Sequence, residues 1–203
     1  MNSLRWLHPY FASIAAQDAE AIRNFFHPDA QILWHKKPAG EKKGMAKMRR
    51  KDREITDAAR IDEIIRRCDC CRLGLVDAGR AYIVPMNFGY RRENGKGVFY
   101  FHSAREGRKI GLIQNGGEAS FELDTNHLLH AGETACTHAF RFQSVMGDGT
   151  VRILEDAQAK RAALEAIMEH TTGRDDWTFE EKALEATALL RLEVREMTGK
   201  EHE

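Results

Sequence analysis

Alternating apolar and polar residues run through most of the chain beyond residue 70, and short turn sequences interrupt the alternation. Successive side chains of a β-strand point to opposite faces, so this two-residue period predicts half-buried strands. The predicted strands are, in chain order, CRLGLVD, RAYIVPMNFGY, VFYFHS, ASFELD, CTHAFRFQSVMG, TVRILED and LLRLEVRE, and DAGR, ENGKG and GDG are turns. Short turns between neighbours favour an antiparallel sheet or barrel over repeated βαβ units.

Apolar residues at helical spacing predict helices around these strands. The segment from Leu4 to Phe26 carries one or two helices, and Pro28 marks their end. Further helices are predicted from Thr56 or Asp57 to about Arg67, immediately after Ser103, from about Asp156 to His170, and near Phe179 to Thr187. The fold class is therefore mainly β (α+β) with flanking helices.

A charge-rich stretch, KKPAGEKKG at 36–44, is typical of a linker and divides the chain. We predict a helical N-terminal appendage at 1–44 and a mainly β domain at 45–203. Within the appendage, LHPYFASIAAQDAEAIRNFFHPDAQILWH resembles the opening of SnoaL-like proteins. No curved sheet follows it before the linker to close the cone of that fold, so we interpret the segment as a remnant, a docking helix or a dimer arm and transfer no activity from it.

Charge and composition restrict the partners. Lysine plus arginine number 31 and aspartate plus glutamate also 31, which argues against bulk electrostatic binding to nucleic acid or anionic lipid. No apolar stretch reaches the roughly 18 residues of a membrane span, and the N-terminus lacks the pattern of a signal peptide. We expect a cytoplasmic protein with a small-molecule or protein partner.

The four cysteines are too few and too clustered for a disulfide framework. Four side chains could make a tetrahedral zinc site if the fold brought them together, namely Cys68, Cys71, His127 and His130. We favour reduced core thiols and loop histidines, because no second CxxC supports the first, and we predict no metal site. Cys136 with His138 is a weak nucleophile pair, since no third group orients it. Nucleotide-binding glycine motifs, GxGxxG and GxxxxGK[ST], are absent from the sequence.

The stretch FHSAREGRK, 101–109, joins a strand to a predicted helix. Alternation places His102 on the face of Tyr100 and Ser103 on the other face. A helix N-terminus with Ser103, Arg108 and Lys109 nearby is a candidate anion site. The residues alone equally describe a solvated charged face, which is the commoner arrangement. Three uncharged polar residues on apolar strands suit hydrogen bonding to a heterocycle, namely Asn87, Gln143 and Ser144, although Asn87 could instead cap a turn.

The order of motifs identifies a family resemblance. MRRKDREI, CRLGLVD, YIVPMNFGY, YFHSAREGRKIGLI, FELD, SVMGDGTVRIL and EKALEATALLRLEV together resemble the nitroimidazole-resistance branch of the pyridoxamine 5′-phosphate oxidase-like flavoproteins. The resemblance covers about residues 45–198. It implies a six-stranded antiparallel split β-barrel, a homodimer, and FMN, with FAD as the alternative, held at the dimer interface.

The resemblance also implies roles for single residues. Ser103 and Lys109 match positions around the flavin phosphate, with Arg108 as a helper. Pro85, Met86 and Asn87 match the strand along the isoalloxazine ring, and Gln143 and Ser144 match the later strand that borders the flavin. His102 matches the active-site histidine of the branch, and Trp177 is a candidate aromatic lid.

The chain also departs from the family pattern. It ends in LRLEVREMTGKEHE without the RLxP segment of true pyridoxamine-phosphate oxidases, so pyridoxal phosphate synthesis is not expected. NGG replaces the usual NP after the motif helix. The resemblance implies a flavin-dependent reductase of small electron-poor aromatic compounds, such as 5-nitroimidazoles, with NAD(P)H or reduced ferredoxin as donor. A flavin- or haem-binding sensor or carrier without turnover is the alternative, because fold alone does not decide function.

Overall fold

The computed structural model describes residues 48–202. The predicted appendage and the boundary at residue 44 therefore lie outside the described residues. The strands are β1 Glu54–Ile55, β2 Cys71–Asp77, β3 Arg80–Met86, β4 Gly89–Glu93, β5 Lys96–Ala104, β6 Glu118–His130, β7 Ala139–Ile153 and β8 Thr187–His202. The helices are α1 Ala58–Arg67, α2 Arg108–Gln114, α3 Ala157–Thr172 and α4 Glu181–Ala186, with single 3₁₀ turns at Lys51–Arg53 and Ala135–Thr137.

All strand pairs are antiparallel, and the neighbours follow the order β3-β2-β6-β7-β8-β5-β4, with β1 added beside β8. The predicted mainly β class with flanking helices is therefore confirmed. The sheet has eight strands rather than six, and within residues 48–202 no ladder joins its outer strands β3 and β4. In residues 48–202, no helix has the length and apolar character that crossing a membrane requires.

Two apolar clusters lie on opposite sides of β5. Phe99 and Phe101 point into the larger cluster, which also contains the buried isoleucines of α1. Val98 and Tyr100 point the other way, where Ala163 of α3 packs against them. Because both faces are covered, β5 carries a continuous apolar run instead of strict alternation. This burial holds the end of β5, where the candidate site begins.

Hydrogen bonds at the N-termini of two helices agree with the predicted helix starts. Asp57 accepts a hydrogen bond from Ala59 N at 3.0 Å at the start of α1, and Asp156 accepts one from Ala159 N at 2.8 Å at the start of α3. The prediction of a helix immediately after Ser103 is wrong in its start. β5 continues to Ala104, and α2 begins only at Arg108.

One predicted strand, RAYIVPMNFGY, is two strands in the structure. The chain leaves β2 after Met86 and pairs with β5 from Gly89 onward. A Cβ at Gly89 would lie within 2.5 Å of Ala166 O and Ile167 N, so only glycine lets the backbone of α3 pack this closely on β4. The change of partner is a tertiary event that the strand pattern does not show.

The predicted GDG turn is also wrong. β7 runs without interruption through Gly147 and Gly149, and a register shift against β8 falls between Asp148 and Gly149. A side chain at Gly147 would lie 2.6 Å from Glu196 O, and one at Gly149 would overlap Glu193 O. These glycines therefore mark a bulge and close backbone approach rather than a turn.

Candidate functional site

Ser103 and His102 lie side by side near the end of β5 and face opposite ways. Ser103 pairs with Ala188 of β8 and is 9% exposed, and its buried Oγ has no hydrogen-bond partner among the described residues. His102 pairs with Leu189 and is exposed. The predicted alternation is confirmed, and it leaves a buried hydroxyl and an accessible imidazole at adjacent positions.

The two cations at the start of α2 differ in their surroundings. Arg108 Nε donates to Asp77 Oδ2 at 2.6 Å, and its guanidinium lies 4.5 Å from the centre of the Tyr82 ring. Lys109 is partly buried, and neither a hydrogen bond nor an ion pair joins it to any residue in 48–202. Of the two adjacent positive charges, that of Lys109 is the one left without a compensating charge among the described residues.

The segment predicted to follow the flavin ring lies at the end of β3. Pro85 is exposed and pairs with Arg72, whereas Met86 is buried in the core. Asn87 Nδ2 donates to Asp69 O at 3.1 Å, which fixes the loop before β2. This bond fits the turn-capping role that the sequence left open for Asn87.

Asn87 and His102 lie at the same end of one ladder. The pairing of β4 with β5 ends at Gly89 and Tyr100. Asn87 and His102 are each two residues beyond that last pair. The structure therefore brings the predicted ring-binding segment toward the predicted active-site histidine.

Gln143 lies near the start of β7 and is 4% exposed. Its Nε2 donates to Glu201 Oε2 at 3.0 Å, and its buried Oε1 has no partner among the described residues. Hydrogen bonds from Arg60 hold the pKa of Glu201 below its ordinary value, so this carboxylate stays ionised. The amide is thereby oriented, and its oxygen is left to accept a hydrogen bond.

Ser144 shares the outer face of the sheet with Pro85. Ser144 pairs with Asp124, and Pro85 pairs with Arg72. Arg72 donates to Asp124 and, at 2.9 Å, to Glu122 Oε2. It therefore links the Pro85–Arg72 pair to the Ser144–Asp124 pair. Burial and the nearby charge of Asp124 raise the pKa of Glu122. These two predicted residues therefore lie on one charged surface.

The Ser103 and Gln143 groups are not brought together within one chain. Ser103 pairs with Ala188 and Gln143 with Glu201, at opposite ends of the 16-residue β8. A strand of that length extends roughly 50 Å at about 3.3 Å per residue. Ser103 and Gln143 therefore lie far apart in one chain.

Trp177 lies in the segment after α3. Its Nε1 donates to Thr172 Oγ1 at 3.1 Å, and the Arg174 guanidinium lies 4.7 Å from the centre of the indole ring. In 48–202, no hydrogen bond or ring contact joins Trp177 to another predicted site residue. Its role as a lid stays a prediction.

The cysteines and histidines of the zinc alternative have other partners. Cys68 Sγ donates to Ile64 O at 3.3 Å, and burial raises the pKa of this thiol to about 12. Cys71 is fully buried, and His127 Nε2 lies 2.8 Å from Asp124 Oδ2. Within residues 48–202, no three histidine, cysteine, aspartate or glutamate side chains converge on a point that could hold a metal ion.

The weak nucleophile pair lies in a turn rather than on the strand we predicted. Cys136 belongs to the 3₁₀ turn Ala135–Thr137 and is exposed, and β7 begins only at Ala139. His138 Nδ1 lies 2.8 Å from Thr134 O, so the imidazole is engaged with the backbone of the turn.

A polar cluster that no sequence pattern predicts lies on the face of His102. Arg191 donates to Glu93 Oε2 at 2.9 Å and to Tyr100 Oη at 2.6 Å, and Tyr100 donates to Glu93. Burial and the hydrogen bond to Glu93 raise the pKa of Tyr100 to about 12, so the phenol stays neutral. These residues come from β4, β5 and β8, and no local pattern links them. The cluster fixes the strand beside His102.

Three large apolar side chains on the outer face of β2, β3 and β7 are exposed. Val76, Ile83 and Met146 are 71%, 63% and 54% exposed. Beside them is a shallow groove of about 490 Å³, lined in part by Gly74 and Ala81. Contiguous apolar patches on a protein surface mark interaction sites, whereas single exposed apolar side chains are common.

The sequence from 57 to 201 matches the family described as pyridoxamine 5′-phosphate oxidase. The chain belongs to this family. A candidate 5-nitroimidazole antibiotic resistance protein from Bacteroides thetaiotaomicron shares 35% sequence identity with this family member and has a TM-score of 0.64, over 72% of this chain and 85% of that one. The resemblance to the nitroimidazole-resistance branch is therefore confirmed.

Two more distant structures share the fold of this family member. A flavocytochrome from Azotobacter vinelandii is 19% identical with a TM-score of 0.64, over 77% of this chain and 72% of that one. An FAD and haem binding protein from Mycobacterium smegmatis is 20% identical with a TM-score of 0.64, over 74% of each chain. No curated protein matches the sequence.

Proposed function

We propose that this family member is a flavin-dependent reductase that acts on small electron-poor aromatic compounds, with 5-nitroimidazoles as the substrates to test first. The family and the 35% identity to the candidate resistance protein support this proposal. FMN is the proposed cofactor, and FAD is the alternative.

Two unpaired buried atoms carry the proposal. Three buried side-chain atoms of the described residues have no hydrogen-bond partner, namely Arg53 Nε, Ser103 Oγ and Gln143 Oε1. Two of the three belong to residues that the sequence assigned to the cofactor. A buried polar atom without a partner costs about 1–3 kcal/mol, so such atoms call for a ligand or water. A flavin offers both phosphate and ring groups to satisfy them.

Each half of the site has its own task. Ser103 Oγ donates a hydrogen bond to the flavin phosphate, and Lys109 supplies the charge that the phosphate needs. Pro85, Met86 and Asn87 place backbone groups along the ring. Gln143 presents its free Oε1 as an acceptor. When bound, the flavin supplies the redox chemistry that carries electrons from NAD(P)H or reduced ferredoxin to the substrate.

His102 is the proposed proton donor. Reduction of a nitro group takes up protons as it takes up electrons, and it releases water. An exposed imidazole can hydrogen-bond a nitro oxygen and deliver a proton to it. The neutral Tyr100 on the same face adds no charge that would compete with this transfer.

A homodimer completes the site in this proposal. Since Ser103 and Gln143 lie at opposite ends of β8, a second copy in the reverse orientation is needed to bring the two halves together. The apolar surface around Val76, Ile83 and Met146 is the proposed contact surface, because its burial removes these side chains from water.

The test begins with the purified protein. We expect a flavin absorption spectrum, and chromatography of the released cofactor identifies FMN or FAD. Anaerobic assays with NADPH, NADH or reduced ferredoxin and metronidazole should then show nitro reduction above the rate with free flavin. Protein that takes up no flavin contradicts the proposal. Flavin that no donor reduces, or a haem spectrum, would instead favour the sensor or carrier alternative.

A further inference from the structure

Asp77 and Tyr82 hold Arg108 against the β2–β3 hairpin. Arg108 Nη2 and Nε both lie 2.6 Å from Asp77 Oδ2, and the guanidinium stacks 4.5 Å from the centre of the Tyr82 ring. The Asp77 side chain is 31% exposed and that of Arg108 is 58% exposed. Two separate contacts therefore fix one side chain at the start of α2.

Lys109 is under no such restraint. It follows Arg108 directly on α2, is partly buried, and has no ion pair within residues 48–202. The adjacent Ile110 is buried in the core, which anchors this turn of the helix. The lysine can thus meet an anion without giving up a partner.

We infer that Asp77 determines which cation binds the flavin phosphate: it holds Arg108 on the hairpin and leaves Lys109 as the phosphate ligand. This inference rests on the proposed flavin function. To reach a phosphate, Arg108 would have to leave both the carboxylate and the aromatic ring. It would also leave Asp77 as an unpaired negative charge beside the incoming anion. Together these costs reduce the affinity gained from Arg108 by about threefold to tenfold.

Asp77 is thus a positioning residue, and it acts only through Arg108. Its removal frees the Arg108 guanidinium and deletes a negative charge near the phosphate. Both effects strengthen the binding of an anion and leave the binding of an uncharged flavin unchanged. Comparison of FMN with riboflavin, which lacks the phosphate, therefore isolates the effect.

The experiment titrates FMN and riboflavin against the flavin-free protein and follows the quenching of flavin fluorescence. The measured quantity is the Kd for riboflavin divided by the Kd for FMN. Lys109→Met should lower this ratio by about tenfold to a hundredfold. Arg108→Met should change it by less than about threefold, and Asp77→Asn should raise it by about threefold to tenfold.

Two further variants serve as controls. Glu106→Gln removes one negative charge from the connection between β5 and α2, where Glu106 is exposed and has no ion pair within residues 48–202, and it should leave the ratio within about twofold. Asp77→Glu keeps the ion pair and should restore the wild-type ratio. Thermal unfolding of each variant shows whether it is folded.

Distinct outcomes overturn the two proposals. An effect of Arg108→Met as large as that of Lys109→Met would make Arg108 a phosphate ligand and refute the inference. An Asp77→Asn ratio no different from that of Glu106→Gln would refute it as well. Wild-type protein that binds neither flavin overturns the proposed flavin function itself.

Discussion

Two chains with different defects should restore flavin binding when they are mixed, if the site is shared between copies. Lys109→Met disables the half of the site near the end of β5, and Gln143→Leu disables the half at the start of β7. The two halves lie at opposite ends of β8 in one chain. In a symmetric dimer each site would take Lys109 from one copy and Gln143 from the other.

The size of the effect follows from this arrangement. Random reassociation of equal amounts gives about half mixed dimers, and each contains one intact site and one doubly defective site, so about a quarter of all sites regain full affinity. Each single substitution weakens flavin binding by about tenfold to a hundredfold, because it removes a charged or buried hydrogen bond. At a flavin concentration between the two affinities, the restored quarter is well above the background.

The assay uses chains with two different affinity tags, unfolded and refolded together. Mixed dimers are isolated by both tags, and flavin per chain is measured after gel filtration. Ser103→Ala mixed with Lys109→Met is the matched control, since both defects lie in the same half and no intact site can form. Isolated mixed dimers of Lys109→Met and Gln143→Leu that retain no more flavin than the control would refute the shared site.

Three further predictions concern single positions. His102→Ala should leave the Kd for flavin within about threefold and lower kcat for nitro reduction by about a hundredfold, as steady-state kinetics would show. Asp62 accepts hydrogen bonds from Arg92 and Tyr90; burial raises its pKa, but these bonds outweigh burial and hold the pKa below its ordinary value. Asp62→Asn should therefore lower the free energy of unfolding by about 2 kcal/mol at pH 7, and the difference should shrink below about pH 4 in denaturant titrations. Gly89→Ala forces a Cβ to 2.5 Å from the carbonyl oxygen of Ala166 in α3. It should lower Tm by about 6–12 °C in calorimetry.

Controls separate these effects from general damage. If His102→Ala loses its flavin, then His102 supports cofactor binding and the proposed role as proton donor is contradicted. Glu63→Gln changes a carboxylate on the same helix as Asp62 whose side chain is 45% exposed, and its effect should stay within about 0.5 kcal/mol. The sign for Asp62 follows from its lowered pKa: the stabilisation is present above the unfolded-state value and is lost as the pH falls through the folded-state value. A constant difference down to pH 2 contradicts this account.

Local patterns predicted the elements that local forces decide. The pattern predicts the first helix because Thr56 or Asp57 can cap it and three isoleucines share one face, and the structure shows Asp57 as the cap. Ser103 and His102 were placed on opposite faces because a strand has a period of two. Such features depend on neighbours within a few residues, so the sequence contains enough information for them.

Patterns failed where a second segment decides the outcome. Gly147 and Gly149 predicted a turn, but they permit close approach of β6 and β8 to a continuous strand. The break after Met86 arises because the chain exchanges β2 for β5 as its partner. The residues around Gly147, Gly149 and Met86 do not show which strand will lie beside them.

The sequence by itself determined that three cations, Arg105, Arg108 and Lys109, follow a strand that carries His102 and Ser103 near its end. Only the tertiary structure decided that Asp77 neutralises Arg108 and that Lys109 has no ion pair within residues 48–202. Residue type and spacing are local properties, whereas an ion pair depends on which distant strand packs beside the helix. The same reason explains why the two predicted halves of the site lie far apart in one chain.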